Sequence, residues 1–72
     1  MSHEQSADQL RDYLAPDEWL SAVAAVKRGD REGYGNVVLG ALRRMYLTGP
    51  PEQREFAVSM TQPTTRAEWD AA

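Results

Sequence analysis

Apolar residues recur at helical spacing in four stretches of this chain, and proline or glycine stands at each junction between them. In the first stretch Ala7, Leu10 and Leu14 share one helical face, with Tyr13 alongside. Two overlapping capping boxes, Ser2 with Gln5 and Ser6 with Gln9, offer side-chain oxygens to the free amides of a helix start. A helix from residue 3 or 7 to 14 is predicted, its first turn fraying as chain ends do.

The second stretch, "APDEWLSAVAAVKRG", has the clearest boundaries. Pro16 suits the first helical position, where its missing amide leaves nothing unpaired. Asp17 and Glu18 put negative charge at the positive end of the helix dipole, and Lys27 and Arg28 put positive charge at the other end. Trp19, Ala22, Val23 and Val26 lie on one face, with Leu20 at its edge, and Gly29 predicts a left-handed cap.

Asp30 then caps the third helix directly. Tyr34, Val37, Val38, Ala41, Leu42, Met45 and Tyr46 follow the spacing of a buried face. With Leu39 added, the apolar arc spans roughly 200°, wider than one neighbouring helix covers. This helix, about residues 30–48, is therefore expected at the centre, and Gly49 and Pro50 end it. In the fourth stretch, "PPEQREFAVSM", Phe56, Ala57 and Met60 form an inward helical face. Phe56, Val58 and Met60 also alternate as a strand would, but no other segment offers an edge to pair with, so helix is predicted. Pro63 closes it. A further capping box, Thr65 with Glu68, allows a last turn around Trp69.

The predicted fold is all-α: a compact bundle of three to four short helices over residues 1–62, with residues 63–72 a tail or short capping helix. Its expected core is Leu10, Leu14, Trp19, Val23, Val26, Tyr34, Val38, Leu42, Met45 and Phe56.

Glycine complicates the third helix, because each interior glycine costs about 1 kcal/mol against alanine. Gly33 and Gly40 lie seven residues apart on the side opposite Tyr34, Val38 and Met45. Leu47 continues their line, flanked by Asn36, Arg43 and Arg44, while Gly35 sits at the rim of the apolar arc. Three readings follow. The helix starts only at Asn36 and "GDREGYG" is a flexible connector; or the groove takes the first or fourth helix of the same chain; or it is a contact between chains.

Composition narrows the chemistry. Seventy-two residues make one small domain, which buries only about 60% of its unfolded surface and gains from association. There is no cysteine, hence no disulfide, thiol nucleophile or thiolate metal site. No apolar run approaches the ~20 residues of a membrane span, and "MSHEQSADQLRDYL" reads as neither a secretory nor a transit signal. A cytoplasmic location is expected. Residues 1–26 hold five acids and one base; residues 27–55 hold six bases and four acids. That division suits complementarity within or between copies better than phosphate binding. Arginine supplies seven of the eight bases, which points to a GC-rich genome, bacterial or phage.

No constellation specifies catalysis. His3 is the single histidine and lacks an orienting partner or fellow ligands. Glu4, Asp8 and Asp12 form a carboxylate line, but a regular helix rarely wraps the six or more oxygens calcium takes. Ser21 and Ser59 have no base nearby, and the glycines match no phosphate-binding pattern. The second and third helices resemble a helix-turn-helix in outline, yet the would-be reading helix opens with Asp30 and Glu32. The expected function is therefore noncatalytic protein binding, without metal or cofactor, by a regulator, adaptor or accessory subunit. A homodimer is the simplest assembly. The alternative is a small DNA-binding regulator. Gly33, Asn36, Gly40, Arg43, Arg44 and Leu47 are the candidate contacts. Trp69, in its acidic tail, either docks to a partner or folds back onto the bundle.

Overall fold

The computed structural model describes residues 9–71, which contain helices and no strand. Residues 9–13 are helical (α1), followed by α2 (Pro16–Arg28), α3 (Arg31–Thr48), α4 (Pro51–Met60) and α5 (Pro63–Ala71). The chain groups into two compact units, Met1–Val37 and Val38–Ala72. Because α3 runs through both, it is the central element of this all-α fold. The serine capping boxes, His3, Glu4 and Asp8 lie outside the described residues.

Local chemistry accounts for the boundaries. Pro16 opens α2, and the Glu18 carboxylate accepts the Ala15 N–H at 2.7 Å, satisfying a donor at the helix start. Gly29 ends it in the left-handed region, φ 71°, where a side chain is disfavoured. The amides of Gly29 and Asp30 turn back to donate to Val26 and Ala25, which satisfies the last carbonyls. One residue later α3 begins, its start capped by Asp30, whose Oδ1 accepts the Gly33 N–H at 2.8 Å. Gly49 ends α3 by close approach: a Cβ there would lie 2.5 Å from the Met45 carbonyl oxygen.

The stretch 51–60 is helix, not strand, and the last segment is a helix that opens at Pro63. The Thr65 capping box is thus not formed, since a proline at the first helical position starts α5 two residues earlier. Arg66 bridges α5 to α4: its Nη1 donates to the Val58 carbonyl at 2.8 Å and to the Thr61 carbonyl. A guanidinium there supplements the long Thr61 N–H contact to the Val58 carbonyl, 3.4 Å, and places a cation at the negative end of α4.

Burial follows the expected face in the second half of α3, but Tyr34 and Leu39 of the expected arc are exposed, and it departs from the expected face in α2. Leu42, Met45 and Phe56 are buried as expected, joined by Ala41, Tyr46 and Ala57. Leu10, Leu14, Val23 and Val38 are half-buried. Trp19, Val26 and Tyr34, assigned to the core from spacing, are 40%, 62% and 40% exposed, and Met60 is exposed as well. In α2 the buried side chains are Ala22 and Ala25. The helix is turned about a quarter-turn from the expected orientation, so its smallest side chains face inward and the Trp19–Val23–Val26 strip faces outward.

Candidate functional site

In the first unit three of the four exposed large apolar residues, Trp19, Val26 and Tyr34, line one open groove. Trp19, Ala22, Val23, Val26, Lys27 and Tyr34 line it. It continues past Val26 and Tyr34 to Gly29, Asp30 and Arg31. The two-residue corner at Gly29 and Asp30 makes this arrangement, because α2 stops and α3 starts with almost no connecting chain. Val26 near the end of α2 and Tyr34 in the first turns of α3 thereby line the same hollow.

Charge marks the two ends of α2. Asp17 is exposed in its first turn; Lys27 and Arg28 are exposed in its last. Arg28 forms an ion pair with Asp30, Nη2 to Oδ2 at 3.3 Å. The Gly33 amide, and then Arg28, hold the Asp30 carboxyl below the usual carboxylate range. The Arg11 guanidinium lies 5.1 Å from the centroid of the Trp19 ring and covers part of it. What remains is an apolar strip with Asp17 and Arg11 at one end and Lys27 and the Arg28–Asp30 pair at the other.

The outward face of α3 is arranged as its wheel predicts, but its glycines have different reasons. Asn36, Gly40 and Arg43 are exposed, and Leu47 is 46% exposed. Both Gly35 and Gly40 face open space, with nothing among the described residues within 4 Å of an added Cβ. Among the described residues no neighbouring segment fills the space over Gly40. Gly33 is half-buried and accounted for internally, because an added Cβ would collide with the capping carboxylate of Asp30. The connector reading of "GDREGYG" fails: α3 starts at Arg31, and among the described residues Gly29 alone has a positive φ. Arg44 is half-buried, and its carbonyl accepts the Thr48 hydroxyl at 2.9 Å.

Trp69 is folded back. Its ring centroid is 5.8 Å from that of Tyr46, at an interplanar angle of 44°. The Tyr46 hydroxyl donates to Asp70 at 3.0 Å, and Arg54 stacks on the Tyr46 ring at 4.9 Å. No family model, curated protein or solved structure matches this chain. Its own geometry must therefore carry any functional reading.

The lining of the groove is mostly apolar. Among the described residues no three carboxylate or imidazole groups gather as metal ligands would, and no helix is long and apolar enough to cross a membrane. Helical spacing assigns Trp19, Val23, Val26 and Tyr34 of this groove to the core, which hides them as a surface. One signal could have exposed them. Lys27 follows Val23 by four positions and Leu20 by seven, so a cation shares their stripe. A charge on the stripe marks it as facing water, and the alanine pair three apart as the inward face.

Proposed function

We propose that this chain is a noncatalytic protein-binding module, a small regulator, adaptor or accessory subunit, that engages its partner through the α2–α3 groove. One observation carries the reading: Trp19, Leu20, Val26 and Tyr34 are all exposed large apolar residues of the first unit, and three of them line the groove. Scattered apolar residues are ordinary on a protein surface, whereas a contiguous set rimmed by charge marks an interaction site. Tryptophan and tyrosine are also the residues most often found to anchor interfaces.

The outward face of α3 is a second reading, favoured by exposed Leu47 and the open space over Gly40. Affinity capture from the native host with three baits separates the two. Val26→Asp should lose the specific partner that wild type retains, and Leu47→Asp should keep it. The opposite pattern would move the binding surface to the outward face of α3. The DNA-binding alternative gains no support, because the corner that would approach phosphates carries the Asp30 carboxylate and exposed Glu32.

A further inference from the structure

We infer that the occupant of the groove is a second copy of this chain, with α2 packed antiparallel on the α2 of the other copy about a twofold axis near Val23. The inference rests on the groove reading above and names its partner. It begins with the distribution of charge along α2. Asp17 stands in the first turn and Lys27 and Arg28 in the last, so reversing one copy against another sets acid beside base at both ends. The helix dipoles are opposed in the same arrangement, positive end to negative end. Parallel pairing would place like charges together.

The apolar strip is self-complementary under the same operation, as a twofold interface requires. With Val23 at the axis, Leu20 of one copy opposes Val26 of the other. These are the two most exposed large apolar side chains among the described residues, at 67% and 62%. Trp19 opposes Lys27, which brings a second cation toward the indole that Arg11 approaches from its own chain. Lys27 lies within the strip and Asp17 flanks it on the same side. In an antiparallel pair Lys27 of one copy therefore also reaches toward Asp17 of the other, while Arg28 stays with Asp30. The pairing of Lys27 with Asp17 forms twice.

The interface is small. A helix of 13 residues is about 20 Å long, so the pair covers less area than a standard interface. A reversible dimer with Kd on the order of 10–100 μM is expected.

Sedimentation equilibrium of the full chain from micromolar to millimolar concentration tests this. Wild type should show a reversible monomer–dimer equilibrium. Val26→Asp should weaken it at least tenfold with unchanged circular dichroism, since that side chain is mostly in water. Asp17→Lys and Lys27→Glu should each weaken the dimer several-fold. Combined, they should bind more tightly than the two single effects predict, because each new charge faces its opposite. A monomer at all concentrations would overturn self-association; if Val26→Asp still abolished capture of a foreign protein, the binding-module reading would stand without it. A dimer indifferent to Val26→Asp, or a double variant showing no such coupling, would overturn the antiparallel α2 arrangement.

Discussion

The two units of this chain draw on the same central helix and reach opposite outcomes. In the second, α3 contributes Ala41, Leu42, Met45 and Tyr46 to a buried set completed by Phe56 and Ala57 of α4. Tyr46 is held from two helices at once, by Arg54 of α4 and by Trp69 and Asp70 of α5. Among the described residues of the first unit the buried apolar ones are two alanines, Ala22 and Ala25, while Trp19, Leu20, Val26 and Tyr34 remain exposed. Full burial of one large aliphatic side chain is worth about 1.5–3 kcal/mol. The second unit has collected that stabilisation at Leu42, Met45, Tyr46 and Phe56 while leaving Leu39, Leu47, Val58 and Met60 exposed, and the first buries no large apolar side chain among the described residues. Helices form in both, because their caps are local; apolar surface is hidden where enough chain returns to cover it.

Substitutions can break this contrast. The largest effect is expected at Met45, which is fully buried. Met45→Ala should cost about 2–5 kcal/mol in urea unfolding, through lost transfer energy and the cavity left behind. Tyr46→Phe removes the hydroxyl that holds Asp70 and should cost about 1 kcal/mol. Gly40→Ala should instead stabilise by about 0.5–1 kcal/mol, because the added methyl group meets open space in a helix interior. In the first unit Val26→Ser should change monomer stability by less than about 0.5 kcal/mol, as exposed substitutions do. A cost at Val26 equal to that at Met45 would erase the distinction.

The smallest effect sharpens the first unit by pH. The folded-state pKa of Asp30 lies below its unfolded value, so its contribution is present above the unfolded pKa and is lost as pH falls through the folded one. Wild type should therefore lose stability more steeply below about pH 4 than Asp30→Asn, whose amide can still cap α3 but does not titrate. Parallel curves from the two proteins, followed by urea midpoint, would remove Asp30 from the account.

What could be read from the sequence was what local chemistry decides. Pro16, Gly29, Asp30 and Gly49 mark helix ends through backbone geometry and capping that involve neighbours a few residues away. The outward placement of Asn36, Gly40 and Arg43 followed from helical spacing alone. The orientation of α2 did not, because Trp19–Val23–Val26 and Ala22–Ala25 are both plausible inward faces. Choosing between them depends on what packs there. The same limit applies to Tyr46 and Asp70, whose hydrogen bond spans 24 residues of sequence. It applies to Gly33 too, where the reason for glycine is the position of one carboxylate oxygen. Reading the α2 face as core placed the candidate contacts on α3 and concealed the groove.

The most direct test of the open groove is acrylamide quenching of each tryptophan alone, Trp19 in a Trp69→Phe variant and Trp69 in a Trp19→Phe variant, across protein concentration. Trp19 should be the more quenchable in dilute solution and should become protected as concentration rises, while Trp69, packed on Tyr46, stays constant. Equal quenching of the two in dilute protein, or a Trp19 signal that never changes with concentration, would contradict an uncovered first unit that waits for a second copy.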